Sequence, residues 1–471
     1  MSSNWSFKKL GDLVTFLSGG TPSKSNKDYW NGDIPWISAS SMQSTRYHDS
    51  DLRVTSLGST NGTRLVPAET VLLLVRGGAL HNKIPVGITT REVTFNQDVK
   101  ALVPKSEDIT PYYLLAWLIS SRELLLGKVE NTGIGAGKLD TKILQDLDVP
   151  VPPKAELLRL ELFSKALDDK IILNQNINQT LEQMAQTLFK SWFVDFEPVK
   201  AKIAALETGG SQEDATLAAM TAINGKDTDA LVVFEREHPE QYAELKATAE
   251  LFPSAMQDSE LGEIPEGWNV SNIKDNVDVR DGTHASPKAS DSGYHLVTSK
   301  NITSGYLDRR SCYYISDADY NDVNKRSRVS CGDILISMIG TVGALYFVAE
   351  NNVDYAIKNI GLIRTSERHD LQAFIFYHLK SKEGANYIQS RLAGTTQKYL
   401  SLKQLREIPL VMPTQDVLAA FNKKTFLHEI HANQEIAETL ASIRDTLLPK
   451  LLSGEITLPE AEQAVSEAEN V

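Results

Sequence analysis

The chain states one plan twice, about 260 residues apart. Read from Trp5 and again from Trp268, the same order appears: an aromatic opening, a Gly/Thr-containing loop, alternating apolar stretches, a Gly-rich loop and a long amphipathic helix. The module ends align best. "KLDTKILQDLDVPVPP" (Lys138 to Pro153) matches "YLSLKQLREIPLVMP" (Tyr399 to Pro413), placing Leu139 on Leu400, Leu144 on Leu405 and Pro152 on Pro413. Farther on, "NQNINQTL" (Asn174 to Leu181) faces "NQEIAETL" (Asn433 to Leu440). Solenoid repeats run roughly 20–50 residues, so this spacing means a duplicated domain followed by a helix. Two similar modules on one chain suit a ligand with two similar sites, and nucleic acid is the first to consider.

The net charge of −13 seems to oppose that ligand, but its distribution does not. Residues 1–150 carry 16 basic and 15 acidic groups, and residues 266–412 carry 18 and 16. Residues 151–265 carry 10 and 20, and residues 413–471 carry 4 and 10. The acid therefore sits in the helical segments, while the repeated modules are slightly basic. Net charge bears on solubility and steering rather than on what one face of one module binds. The N-terminus lacks an apolar signal core, and no apolar run approaches the ~18 residues of a membrane span. Cys312 and Cys331 are the only cysteines. These features are expected of a reduced, cytoplasmic protein without a disulfide framework.

Periodicity gives the coarse architecture. "TVLLLVR" (Thr70 to Arg76) and "DILISMIG" (Asp333 to Gly340) read as short strands bounded by turn residues. Helical patches close each module, at Tyr112 to Lys128 and Leu371 to Leu392. The modules are thus mixed α/β, in the α+β sense. Between Leu160 and Trp192, positions 160, 163, 167, 170, 174, 177, 181, 184, 188 and 192 step by threes and fours, as in a coiled-coil seam. Leu427, Ile430, Ile436, Leu440, Ile443, Leu447 and Leu451 do the same in the second helix. Seam packing is expected at Leu181, Met184 and Leu188 against Leu440, Ile443 and Leu447. A helix of this length spans about 55 Å. Both start beside prolines, at Pro152–Pro153 and Pro413.

Searches for catalytic chemistry return little. "GIGAGKL" (Gly133 to Leu139) has three residues where a phosphate loop needs four, and Leu139 stands where Ser or Thr would hold the metal. Asp98-Val99-Lys100 is a nuclease-like triplet inside a strand-like run. His428 and His431 fall at helical spacing without a completing ligand set, and are expected on the coil surface. No Gly-x-Ser-x-Gly elbow is present. Nor is there an Asn-Pro-Pro-aromatic or Asp-Pro-Pro-aromatic tetrapeptide, where an amino-methyltransferase would hold its target base. The chain reads as a binder.

Four strings carry a resemblance. "LSGGTPSKSNKDYWNGDIPWISASSM" (Leu17 to Met42), "LFKSWFVDFEPVKAK" (Leu188 to Lys202), "DSELGEIPEGW" (Asp258 to Trp268) and "LLPKLLSGEI" (Leu447 to Ile456) resemble, in order, segments of the specificity subunit of type I restriction-modification enzymes. The resemblance implies two target-recognition domains separated by two long antiparallel helices in a coiled coil, an internal pseudo-twofold repeat. Each domain would read one half of a split double-stranded DNA target. The helices would set the gap and dock two methyltransferase subunits that methylate adenine N6, with restriction/translocase subunits completing the complex. The chain itself would hold no catalytic residue, metal or cofactor. S-adenosylmethionine, Mg2+ and ATP would belong to the partner subunits. On this plan, residues 1–154 form the first recognition domain and 155–196 the first spacer helix. Residues 197–265 form an acidic connection, 266–412 the second domain, 413–454 the second spacer helix and 455–471 an acidic tail.

DNA sequence is read by polar groups at base edges, and phosphates are held by Lys, Arg, hydroxyls and backbone N–H groups. Loops rich in these types and placed alike in both modules are the candidates. Thr21, Ser23 and Lys24 pair with Thr283 and His284; Ser38, Ser40 and Ser41 pair with Ser299, Lys300 and Asn301. Arg76, Gly77 and Gly78 pair with Thr341, Gln97 with Lys358 and Asn359, and Lys138 with Thr396, Gln397 and Lys398. Trp30, Trp36 and Trp268 are expected in the core. Two other readings remain: a free-standing bivalent DNA-binding protein or repressor, and a self-contained enzyme with an unrecognised catalytic part. Trp192, Phe193, Phe196 and Phe421 give the helices apolar content beyond one seam, which favours partner subunits.

Overall fold

A computed structural model describes residues 5–131, 135–303, 305–394 and 398–469. The chain divides into two compact units: residues 1–175 with 434–471, and residues 176–433. Each contains one module and part of each of two long helices, Lys154–Phe193 and Leu427–Ser453.

The modules repeat one topology. In the first, strand Ser6–Lys9 pairs antiparallel with Asp148–Val151, closing the module just before the first long helix starts. The second closes likewise, Asn269–Asn272 pairing with Pro409–Met412. Inside module 1 a five-stranded sheet places Val99–Pro104 between Val14–Ser18 and Val71–Leu74. Val71 to Leu74 is buried on both faces, which is why it reads as a continuous apolar run rather than an alternating one. Module 2 places Ile360–Ile363 between Val279–Asp281 and Ile334–Ser337. Each module also has a parallel pair placed alike, Trp30–Ile37 with Val93–Phe95 and Tyr294–Thr298 with Tyr355–Lys358, and module 1 has a second between Arg46–Tyr47 and Val86–Thr89. The closing helix of module 1, Pro111–Ser120, starts with Pro at its first turn and the Thr110 hydroxyl capping Tyr113 N. Trp36 and Trp268 are core residues, and Trp30 packs edge-on against Trp36.

Within each unit the two long helices run antiparallel. In the first, Leu157 and Leu160 share a core with Leu448 and Leu451, while Leu167 and Ile171 meet Ala437 and Leu440. In the second, the Asn178 amide donates to the Ile430 carbonyl at 2.7 Å, and Ala185 and Phe189 lie in the core that contains Leu427. The seam differs from the expected one. The buried heptad row is Leu157, Ser164, Ile171, Asn178, Ala185 and Trp192. Leu181 and Leu188 are half-buried beside it, and Met184 is 55% exposed. In the second helix Leu440 is buried as expected, but Ile443 and Leu447 are half-buried and the buried positions are Arg444 and Leu448. Small and polar residues (Ser164, Asn178, Ala185) share the buried row with Leu157, Ile171 and Trp192, while Leu160 and Leu167 are buried as expected.

Three further expectations change. His431 is buried, edge-on to Tyr346 and tilted against Phe347, while His428 is exposed. The second spacer is two helices, Gln415–Thr425 and Leu427–Ser453, broken by Phe426 at φ +50°. Residues 455–471 include helix Leu458–Glu469, whose Ala461 is fully buried in the first unit's core. The acidic connection folds into helices Glu197–Glu207, Gln212–Asn224, Thr228–Glu237 and Pro239–Glu250, around a small core of Ala219, Met220, Leu231, Leu245 and Ala249.

The aromatic residues ending the first long helix are consumed within their own unit. Phe193 packs on Phe421 at 4.9 Å and Phe374 at 5.1 Å, and Trp192 on Phe252 at 5.0 Å. They therefore supply no surface for partners. In the first unit, Asp168 is 3% exposed and accepts from Arg46 (2.7 Å), Thr45 (2.8 Å) and Arg444 (2.6 Å), tying module 1 to both helices. Arg444 also binds Asp445 at 2.8 Å.

Removing one partner of a buried ionic cluster strands the others and costs about 3–5 kcal/mol. Asp168→Ala should lower urea-unfolding stability by that order, and adding Arg444→Met should recover part of the loss. Equal losses in the single and double variants would show that Asp168 is not coupled to Arg444. In the second unit, burial pushes His378 and His431 down to about 4 from the ordinary 6.5. The unfolded chain binds these protons more readily, so the stability present above pH 6.5 is lost as pH falls toward about 4. The thermal midpoint should drop across that window, and His431→Leu should flatten the profile.

Candidate nucleic-acid interface

The candidate loops of module 1 converge because neighbouring strands end together. Gly20 N donates to Phe95 O at 2.9 Å, Asn96 N to Ile37 O at 3.0 Å, and Arg76 N to Asp98 O at 3.3 Å. These three bonds join the loops carrying Thr21, Ser38, Arg76 and Gln97. Strand Arg76–Gly77 then pairs with Gly137–Lys138, bringing the fifth loop in. Thr21 Oγ1 donates to Gln97 Oε1 at 2.7 Å, and Ser38 and Ser40 hydroxyls lie 2.9 Å apart. Ser23, Lys24, Ser40, Arg76, Gly78 and Gln97 are exposed. Ser41 is half-buried and bonded to Ser50, whose hydroxyl in turn donates to Trp36 O, so it braces the loop. A side-chain hydrogen bond to Asp140 raises the Lys138 pKa.

Module 2 assembles the same rim. Thr283 N donates to Ile357 O at 3.1 Å, and Thr283 bridges Lys358. His284 Nδ1 lies 2.9 Å from Asn359 Oδ1, and its Nε2 lies 3.0 Å from Asp281 Oδ2. Ser299 Oγ donates to Asn359 O at 2.9 Å, and Lys358 Nζ to Ser286 Oγ at 2.5 Å. Ser337 pairs with Ile360, and Leu400 N donates to Met338 O, which brings Thr341 and Lys398 to the same end. Lys300, Thr341 and Lys398 are exposed. Thr396 and Gln397 lie outside the described residues.

Asn301 departs from expectation. It is fully buried, its Oδ1 accepting from Thr298 N (2.8 Å) and Thr298 Oγ1 (2.6 Å) while its Nδ2 donates to Ser311 Oγ (2.8 Å). Its side chain locks the turn that presents Ser299 and Lys300. The sequence reading also passed over Lys100, bonded to Ser18 Oγ at 2.6 Å, and Arg64, bonded to Ser18 O at 3.1 Å. Both are basic groups beside the module 1 rim. The signal for Lys100 was the Lys100–Ser18 strand register, which composition does not reveal.

Among the described residues, no group of three or more His, Cys, Asp or Glu is placed to hold a metal, and no helix is long and apolar enough to cross a membrane. The family model of the type I restriction modification DNA specificity domain matches twice, over residues 2–183 and 265–452. The chain belongs to the type I restriction-modification specificity-subunit family. Among similar proteins, the type I restriction enzyme HindI specificity subunit of Haemophilus influenzae is 30% identical over 368 residues, covering 75% of this chain and 79% of the relative. The MjaIX specificity subunit of Methanocaldococcus jannaschii is 24% identical over 476 residues, covering 97% and 94%. A crystal structure of the type I system S subunit from M. genitalium shares the fold, with TM-score 0.51, 11% identity and 96% coverage of both chains.

Two neighbouring residues of this specificity subunit should separate turn construction from surface chemistry. Asn301→Ala removes three hydrogen bonds from a buried turn, so stability should fall by about 1–3 kcal/mol. Lys300→Ala, one residue away and exposed, should stay within about 0.5 kcal/mol of wild type in the same urea titration. An Asn301→Ala variant as stable as wild type would place its side chain outside the turn.

Proposed function

We propose that this chain is the non-catalytic, cytoplasmic DNA-reading subunit of a type I restriction-modification complex, each module reading one half of a split double-stranded target. The observation that carries this reading is the repeated rim: five polar loops, joined by equivalent strand-end hydrogen bonds, stand at the same end of both modules. Direct base contact is assigned to Gln97, which is exposed, and to Asn359, which is half-buried and braced by His284. Phosphate contact is assigned to Lys24, Arg76, Lys138, Lys300, Lys358 and Lys398, with hydroxyls Thr21, Ser23, Ser38, Ser40, Thr283, Ser299 and Thr341 and the backbone of Gly77 and Gly78 supporting them.

The long helices serve as spacer and docking platform. In the first unit the first long helix exposes Leu158, Leu162 and Leu173, of which Leu162 is 67% and Leu173 58% exposed. Exposed large apolar side chains on one helix suit a protein partner, and two methyltransferase subunits are the expected ones. S-adenosylmethionine, Mg2+ and ATP are assigned to those partners and to the restriction/translocase subunits.

Base-resolved mapping of adenine methylation in host DNA, with and without this gene, tests the reading. Methylation at a bipartite, asymmetric site should appear only when chain and methyltransferase are both present. Turnover by the purified chain alone, or a contiguous target, would sink it. Leu162→Lys with Leu173→Lys should leave stability near wild type while lowering methyltransferase co-assembly at least tenfold.

A further inference from the structure

One side-chain amide is tethered in the same way in both modules. In module 1, Gly19 lies against the strand so closely that a Cβ there would stand 2.2 Å from Phe95 O; in module 2, a Cβ on Gly282 would stand 2.4 Å from Ile357 O. The next residues, Gly20 and Thr283, donate backbone N–H groups to those same two carbonyls. The residues after them, Thr21 and His284, then reach Gln97 and Asn359, each two positions past the accepting carbonyl. Thr21 Oγ1 donates to Gln97 Oε1 at 2.7 Å, and His284 Nδ1 lies 2.9 Å from Asn359 Oδ1. Different side chains thus do one thing: they occupy the amide oxygen. Among the described residues, neither amide NH2 has a hydrogen-bond partner in its module.

The module 2 tether is braced further. Asp281, buried and bonded to Arg326, accepts from His284 Nε2 at 3.0 Å and fixes the imidazole plane. Asn359 sits at φ +54°, in the left-handed region that Asn adopts far more readily than bulky residues. Its N–H donates to Thr283 O at 3.2 Å, and its carbonyl accepts from Ser299. Backbone and amide oxygen are both held, and the NH2 is what remains.

We propose that Gln97 and Asn359 are matched sequence-reading amides, each presenting its NH2 group as hydrogen-bond donor to an acceptor on a base edge. This deepens the DNA-reading function above and rests on it. A free Asn or Gln recognises adenine bidentately, accepting from N6 and donating to N7. An amide whose oxygen is turned toward its own module's tether instead presents its NH2 group to the base. It selects acceptor-bearing positions such as purine N7, guanine O6 or thymine O4, and is mismatched with the amino groups of cytosine N4 and adenine N6.

The test uses the assembled complex of this chain with its methyltransferase subunits, methylating a library with randomised target positions. Asn359→Asp replaces the donor with an acceptor while keeping a residue that tolerates the left-handed backbone. Preference at one position of one half-site should shift, on the order of tenfold, toward bases presenting an amino group, with the other half-site unchanged. Gln97→Glu should do the same in the opposite half-site. Asn359→Gly, which removes the amide but keeps the backbone, should leave that position degenerate. Thermal midpoints near wild type would confirm that each variant is folded. A wild-type complex with a bipartite target, whose folded Asn359→Asp and Gln97→Glu variants keep every base preference or lose methylation uniformly, overturns the proposal alone. A wild-type complex without a bipartite target overturns the DNA-reading function, and this inference with it.

Discussion

The first unit depends on a carboxylate that cannot be left unpaired. Asp168 projects from the first long helix into a nearly dry site, where it holds Arg46 and Thr45 of module 1 and Arg444 of the second long helix. A carboxylate removed from water is costly unless several donors replace its hydration. Arg444 is itself buried and shared with Asp445, so the cluster has few alternative arrangements. Apolar surfaces slide with little penalty, whereas a buried ion network tolerates only the alignment that pairs it. In the first unit, the position of the recognition rim relative to both helices is therefore fixed by charge, with the leucine seam supplying bulk adhesion.

The second unit reaches the same end by other means. Lys380, on the closing helix of module 2, pairs with Glu182 of the first long helix at 2.9 Å, while Arg122, near the closing helix of module 1, faces Asp445 of the second long helix at 4.0 Å. Each module is latched by the helix that follows the other module in sequence. In place of the Asp168 cluster the second unit has aromatic packing: Phe189, Trp192 and Phe193 enter a core with Phe374 and Phe421. Non-directional packing of this size holds a module tightly without specifying register. The Lys380–Glu182 pair sets the module against the first long helix, and the bond from Asn178 to Ile430 O sets the two helices against each other.

How much of this was legible in the sequence follows from which signals are local. The duplication, the strand cores and the module-closing helices could be read because apolar periodicity and turn residues report on the element that carries them. The seam was placed in part. Leu160, Leu167, Leu440 and Leu451 are buried as expected, but Ser164, Asn178 and Ala185 also hold buried positions while the expected Met184 lies outside, because a period of threes and fours does not tell small buried residues from exposed apolar ones. His431 was misjudged for a related reason: its burial comes from Phe347 and Tyr346, far away in sequence. The rim loops were found from residue type and repeated position. Asn301, which shares that composition, is instead a buried brace whose three bonds are visible only in three dimensions.

The two rims also separate what a recognition module must keep from what it can vary. The glycine that backs onto the strand is retained in both, at Gly19 and Gly282, because the carbonyl beneath it leaves no room for a Cβ. The tethering residue is not retained: a threonine hydroxyl serves in one module and an imidazole in the other. Nor is the length of the strand exit, where Asn96 to Asp98 separate the strands of module 1 but Asn359 alone separates those of module 2. A single residue making that connection needs a left-handed backbone, which favours Asn over Gln there. The shorter amide then sits nearer the strand, and the longer, rigid ring of His284 spans the distance that Thr21 covers with one hydroxyl. Backbone geometry thus constrains which side chain can stand at this position of each rim, whatever it touches.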